Sequence, residues 1–228
     1  MKRFKFLLLN GSDCESPSLI RYALAGGNIE IIRHIEQHKE ISFSDIKIPI
    51  TFHHFNVFEW MFLREVDRSG ELGASQLANL VRVAAMSNNI HVLEYLLEKG
   101  SPVDIPDEIA KCTALSYAAD EGHFEVVRLL LERKADVNMQ DVKGWTALRR
   151  AVIMGHVPVV ELLLEHPDVD VNLVNYSGRG AVHRAARDGH LHCLRLLLAH
   201  KALIVNIQDK RKRFIYNSSM SASLRCYL

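Results

Sequence analysis

Cysteine is scarce and scattered in this chain of 228 residues: four thiols, at Cys14, Cys112, Cys193 and Cys226, with no pair at metal-ligand spacing. That spacing offers no zinc site and no disulfide framework, so a reducing compartment, the cytoplasm or alternatively the nucleus, is the expectation. No apolar run approaches the ~20 residues a membrane span needs. The first ten residues, MKRFKFLLLN, carry an apolar run too short for a secretory leader and broken by Lys5, so they read as a first helix or strand. Charge of one sign is also lacking. With 28 basic and 27 acidic residues, nothing favours bulk association with a polyanion. The strings G-x-S-x-G, G-x-G-x-x-G, H-E-x-x-H and the phosphate-binding P-loop are all absent. The expectation is no catalytic residue, no cofactor, no metal and no small-molecule substrate.

What the chain does contain is self-similarity. TALSYAADEGHFEVVRLLL (113–131), TALRRAVIMGHVPVVELLL (146–164) and GAVHRAARDGHLHCLRLLL (180–198) align without gaps. Gly122, Gly155 and Gly189 mark the same point in each copy. The second interval is one residue longer than the first, and the extra residue falls in the loop after His166. A period of about 33 residues marks stacked supersecondary units. Fainter copies lie upstream, AAMSNNIHVLEYLL (84–97) and SLIRYALAGGNIEIIR (18–33), and ITFHHFNVFEWM (50–61) is compatible with a degenerate one.

Each unit reads as two helices. Leu115, Ala118 and Ala119 give the first a buried stripe at helical spacing. Gly122 ends it with the left-handed residue that helix C-termini favour. The second helix carries Val126, Val127, Leu129, Leu130 and Leu131, and Pro158 falls in the first turn of its copy, where a missing N–H is harmless. Asp136, Asn138, Asp170, Asn172 and Asn206 then mark turns, with Gly144 or Gly178 a few residues on.

These residues resemble the ankyrin repeat. Asp141-Val142-Lys143-Gly144-Trp145-Thr146-Ala147-Leu148 is similar to the family's finger and helix start, and Gly122-His123, Gly155-His156 and Gly189-His190 to its Gly-His step. The resemblance is closest over 78–209 and looser over 12–63. It implies an all-α solenoid of helix-turn-helix units joined by hairpin-like fingers, with five to six repeats. The organisation expected is degenerate repeats over 1–72, the repeat array over 73–209, and an incomplete repeat or irregular tail over 210–228.

The chain departs from the family in three places. The Thr-Pro-Leu-His signature becomes Thr-Ala-Leu-Ser, Thr-Ala-Leu-Arg and Gly-Ala-Val-His, so only His183 keeps its imidazole and weaker ordering of the fingers is expected. Lys134 and Lys201 replace the glycine that usually closes the second helix, at a cost of ~1 kcal/mol if they turn left-handed. No helix pair follows Asp209, which implies an irregular cap or a longer array.

By this resemblance the function is to bind another protein on a concave face lined by finger tips and first helices. The positions implied are Val142, Lys143, Trp145, Tyr176, Ser177 and Arg179 on the fingers, with Cys112 as a further candidate. Ahead of the Gly-His step they are Asp120, Glu121, Ile153, Met154, Arg187 and Asp188. Trp145, Ile153 and Met154 are apolar where solvent exposure is expected, as binding surfaces often are. Charge also runs in a gradient, from Asp120 and Glu121 to Arg149, Arg150, Arg179, Arg184 and Arg187, which would register an oppositely charged partner. The alternative is a scaffold or targeting segment of a larger protein. A third reading is nuclear import or nucleic-acid contact through Lys210-Arg211-Lys212-Arg213, although no aromatics are interleaved with these charges. His190, His192 and Cys193 cluster, but Cys193 aligns with Val127 and Val160 of the other repeats, so it reads as core. His53 and His54 read as a helical surface.

Overall fold

The computed structural model describes residues 17–37 and 40–204. Among them are twelve α-helices, one short 3-10 turn and no strand, the architecture of an ankyrin-repeat solenoid. The chain divides into two compact units, 1–76 and 77–228.

The first unit pairs α1 (Pro17–Gly26) with α2 (Ile29–Glu36). After the 3-10 turn (Phe43–Ile46), α3 (Lys47–Thr51) leads into α4 (Phe55–Ser69). Leu24, Ile32, Ile35, Ile46, Ile50 and Phe58 are the largest of its fully buried side chains among the described residues.

Four pairs follow, repeats 3 to 6: α5 (Ala74–Met86) and α6 (Ile90–Glu98), α7 (Ala114–Glu121) and α8 (Phe124–Glu132), α9 (Ala147–Met154) and α10 (Val157–Glu165), α11 (Ala181–Asp188) and α12 (Leu191–Ala199). First helices stack on first helices, α7 on α9 and α9 on α11; second helices do likewise, α6 on α8, α8 on α10 and α10 on α12. Small side chains let the first helices approach, since Ala118, Ala119, Ala151, Ala185 and Ala186 are all buried. The second helices bury the same three positions each time: Val92, Leu93 and Leu96; Val126, Val127 and Leu130; Val159, Val160 and Leu163; Cys193, Leu194 and Leu197.

Every pair turns on one left-handed residue: Gly27, His53, Asn88, Gly122, Gly155 and Gly189, with φ of 65°, 60°, 54°, 76°, 74° and 78°. Segment 50–61 is therefore a helix pair built like the others, with His53 in the glycine's place. The next residue along the chain ties the repeats together. The imidazole Nε2 of His54 lies 2.8 Å from the carbonyl of Ala25, that of His123 2.9 Å from Met86, that of His156 2.9 Å from Asp120, and that of His190 3.1 Å from Ile153. Each acceptor sits two residues before the left-handed residue of the preceding repeat. Facing a carbonyl oxygen, each Nε2 is the donor. Asn89 holds the equivalent place ahead of α6 and caps its own helix, accepting from the amide of Val92 at 3.2 Å.

A second set of bridges comes from Asp104, Asn138 and Asn172, which recur at one constant interval. Each accepts from a backbone amide of the next repeat: Asp136 at 3.1 Å, Asp170 at 2.8 Å and Ile204 at 2.8 Å. The two asparagines also donate, to the carbonyls of Asp168 at 2.6 Å and Ala202 at 2.7 Å. Local sequence suggests only a turn role for such Asx residues; the bridge to the next repeat is added by the fold.

The two lysines at second-helix ends behave differently. Lys134 is left-handed, with φ of 65°. Lys201 is not among the positive-φ residues, and this corrects the parallel drawn between them. Between the helix end and the amide that the Asx bridge holds, α10 and α12 each have one residue more than α8. Both helices end on a histidine in extended geometry, His166 and His200, whose Nδ1 accepts from the amide two residues on, at 3.3 and 3.4 Å. The extra residue removes the need for a left-handed turn.

Gly122 and Gly189 separate two reasons for glycine. Both are left-handed, but a Cβ on Gly122 would lie 2.6 Å from the His156 ring, whereas one on Gly189 meets nothing within 4 Å. Gly189→Ala is expected to cost ~1 kcal/mol for backbone strain alone. Gly122→Ala should cost clearly more, because His156 must also give way. Urea unfolding of the two variants measures the difference; equal losses would show that the imidazole is not held in place.

Candidate functional site

Three fingers project between the helix pairs, leading into repeats 4, 5 and 6, and each is closed in the same way. An Asx residue heads the turn: Asp107, Asp141 and Asn175, again at one constant interval. Its backbone amide donates to the carbonyl that closes the finger, Asp107 to Cys112, Asp141 to Trp145 and Asn175 to Arg179, at 2.9, 3.0 and 3.0 Å. Its side-chain oxygens take the amides inside the turn. Asp141 accepts from Lys143 and Trp145 at 2.7 and 2.9 Å, and Asn175 from Ser177 and Arg179 at 3.1 and 2.9 Å. Asp107 accepts from Ile109, Ala110 and Cys112 at 2.9, 2.6 and 2.9 Å, and from the Tyr117 hydroxyl at 3.1 Å. Burial works to raise the Asp107 carboxyl, but these four donors together hold it below the usual carboxylate value. All three fingers are thus closed by Asx side chains, and in repeat 6 the retained His183 adds a bond of its own, its Nδ1 accepting from the amide of Gly180 at 3.3 Å.

Neighbouring fingers touch. The amide of Val142 donates to the carbonyl of Ala110 at 2.9 Å, and a Cβ on Gly144 would come within 3.0 Å of the Asn175 Cα. The tips therefore form a row, and each exposes one large apolar side chain among polar neighbours: Ile109 is 90% exposed, Val142 46% and Tyr176 66%. Ile109 was missed in the sequence, because the finger of repeat 4 is one residue longer than the others and lacks their tip glycine. The signal that finds it is Asp107, which stands as far before Asp141 as Asp141 stands before Asn175.

The other positions expected to meet a partner divide into three groups. Lys143, Ser177, Glu121, Arg187 and Asp188 are exposed, as is Met154 at 54%. Asp120, Ile153 and Arg179 are half-buried. Trp145 is half-buried too, and its ring is already engaged. Lys143 Nζ lies 4.9 Å from its centroid, and the Arg149 and Arg150 guanidiniums 5.4 and 5.6 Å, all within cation–π range. Cys112 is buried beneath the finger of repeat 4.

Arg149 and Arg150 correct the charge gradient, because neither is an open surface charge. Arg149 is 5% exposed and donates from Nη1 to the carbonyls of Arg179 and Gly180, at 2.9 and 2.8 Å. It has taken the place of the imidazole in the Thr-Pro-Leu-His pattern and reaches into the next repeat. Arg150 pairs through Nη2 with the buried Asp141 carboxylate at 2.5 Å and contacts Cys112 Sγ at 3.0 Å, with Asp120 3.6 Å from its Nη1. Desolvation works to lower the Arg150 guanidinium, but Asp141, Cys112 and Asp120 together raise it. The face keeps a positive end in Arg179, Arg184 and Arg187.

His54, read as a helical surface, is instead the bridge from α4 to Ala25. Cys193 lies in the core, where burial pushes its thiol up, while His192 is exposed. Counted from the Gly-His step, Cys193 is in register with Val126 and Val159, one position earlier than the alignment with Val127 and Val160 drawn from the apolar run. Among the described residues no group of His, Cys, Asp and Glu is arranged to hold a metal ion, and no helix is long and apolar enough to cross a membrane. Residues 1–10, Cys14, Cys226, Asn206 and the basic run Lys210, Arg211, Lys212 and Arg213 lie outside the described residues.

The Asp141–Arg150 pair is the electrostatic centre of the fingers. Removing one partner strands a buried charge, so Arg150→Leu is expected to cost ~3 kcal/mol. Adding Asp141→Asn should recover part of that loss, as Asn175 does the same turn work without a charge. A double-mutant cycle by urea unfolding reads the coupling; strictly additive losses would mean that the pair does not hold the finger.

The comparisons agree with this architecture. The family model described as ankyrin repeats (3 copies) matches residues 80–175, and ankyrin repeats (many copies) matches 154–198. Over 96 residues the chain is 31% identical to ankyrin repeat domain-containing protein 63 of Homo sapiens, covering 42% of this chain and 25% of that protein. Over 94 residues it is 33% identical to the potassium channel AKT1 of Arabidopsis thaliana, covering 41% and 11%. Over 48 residues it is 49% identical to the probable E3 ubiquitin-protein ligase XBOS33 of Oryza sativa subsp. japonica, covering 21% and 9%. The matches span a quarter or less of the length of these relatives. With residues 80–198 covered by the two models and six helix pairs turning on the same left-handed step, the chain belongs to the ankyrin-repeat family.

Proposed function

We propose that the array, 73–209, binds a partner protein on the face made by its finger tips and first helices. Ankyrin repeats are generally protein–protein interaction modules. One observation carries the reading here: the row of Ile109, Val142 and Tyr176 at consecutive finger tips, with Met154 exposed on α9. Apolar side chains at the tips of locked turns add nothing to the core, and such clusters mark interaction surfaces. The turns are preformed by Asp107, Asp141 and Asn175, so little ordering entropy opposes binding. Trp145 serves this face as a rigid support for its own cations and carries less of the contact than Tyr176.

A second reading is supported by the short share of each relative that the chain matches. The array would then be the docking segment of a longer protein, with the same face in use.

The test compares the wild-type chain with an Ile109→Ser, Tyr176→Ser, Met154→Ser variant of confirmed fold as baits in native lysate. A control variant carries Arg128→Ser and Glu132→Ser on the exposed side of α8. The expected result is a protein enriched on wild type and control and lost at least ~tenfold on the face variant, as hot-spot loss requires. Equal capture by all three baits would place binding elsewhere.

A further inference from the structure

The arginines behind the fingers of repeats 5 and 6 indicate what kind of segment the face receives, an inference that rests on the binding reading above. A buried guanidinium is ordinarily matched by a carboxylate, because an uncompensated charge away from water is costly. Arg149 is not matched in this way. Its Nη1 goes to the carbonyls of Arg179 and Gly180, and its Nε is buried without a hydrogen-bond partner. Asp141, the acid whose charge favours it, is committed to Arg150. Burial, and after it the charges of Arg184, Arg179 and Arg187, push the Arg149 guanidinium down to about 10. Arg184 and Arg187 stand three apart on α11 and share one carboxylate, Asp188, at 2.5 and 3.1 Å. Positive charge is therefore concentrated around the first helix of repeat 6, where Arg179, Arg184 and Arg187 all act on Arg149, and Arg179 closes the finger whose apolar tip is Tyr176.

We infer that this part of the face receives a carboxylate-rich segment of the partner protein, its Asp and Glu side chains meeting Arg179, Arg184 and Arg187 while its apolar side chains seat on Val142, Tyr176 and Met154. Charge complementarity supports this directly, since guanidinium forks pair with carboxylates in a defined geometry. The apolar row favours a polypeptide over a nucleic acid, whose backbone would present charge along its whole length.

The test uses the full chain, labelled with nitrogen-15, and a short synthetic peptide of alternating Glu and Leu. Matched peptides replace Glu with Gln or with phosphoserine, and an oligothymidylate provides the nucleic-acid arm. The Glu–Leu peptide is expected to bind about tenfold or more tightly than the Gln–Leu peptide. It should shift the side-chain N–H signals of Arg149, Arg179, Arg184 and Arg187, and weaken as salt rises. Arg187→Gln, at an exposed position, should lower that affinity severalfold, while Arg133→Gln at the end of α8 leaves it unchanged. Equal binding of the Gln–Leu peptide overturns the inference. So do no binding of the Glu–Leu peptide, preference for the phosphoserine peptide or the oligothymidylate, and shifts centred on Arg133 and Lys134. In each of these cases the binding face stands or falls separately, by the capture of a partner on Ile109, Tyr176 and Met154.

Discussion

The hydrogen bond from a second-helix imidazole to the preceding repeat's first-helix carbonyl sets the register of the stack. It recurs at His54, His123, His156 and His190, each time with an acceptor two residues before a left-handed turn. The geometry links several residue choices that otherwise look independent. The left-handed residue turns the chain so that its neighbouring carbonyl points at the next repeat. Glycine at that turn leaves room for the incoming ring, most tightly at Gly27 and Gly122. The imidazole satisfies a carbonyl at a helix C-terminus, where intrahelical donors run out. The histidine backbone stands at the start of the second helix, but its side chain caps nothing there and serves the preceding repeat's carbonyl, tying one repeat to the next.

Hydrophobic burial then fills a spacing that is already defined. The second helices bury the same three positions in turn, and Cys193 takes a place that Val126 and Val159 hold in neighbouring repeats. Asn138 and Asn172 repeat the bridging logic on the other side of the loop, each joining the next repeat through both ends of its amide. With the second helices and loops occupied in holding the array together, the finger tips carry few structural duties. That division allows Ile109, Val142 and Tyr176 to vary in chemistry without loss of the stack, as a recognition surface requires.

Much of this was legible in the sequence, because a period of about 33 residues repeats the same local instructions. The Gly-His step located the turns, and the apolar pattern located the helices. Four things were not legible, each for a physical reason. Segment 50–61 hid its turn because His53 is left-handed without being glycine. Arg149 read as surface charge because local spacing cannot show that a long side chain reaches into the next repeat to a carbonyl. Ile109 was invisible because its finger is one residue longer, so alignment on glycine misses it while alignment on Asp107 finds it. Lys201 followed a rule of helix ends that one extra loop residue cancels.

The most direct measurement of this account is the tautomer and proton exchange of His156 and His190, read by nitrogen-15 NMR of the imidazole rings at neutral to mildly alkaline pH. The account predicts rings protonated on Nε2, with N–H protons that exchange slowly because they are held by the carbonyls of Asp120 and Ile153. Rings protonated on Nδ1, or Nε2 protons exchanging as fast as those of exposed His192, would contradict it.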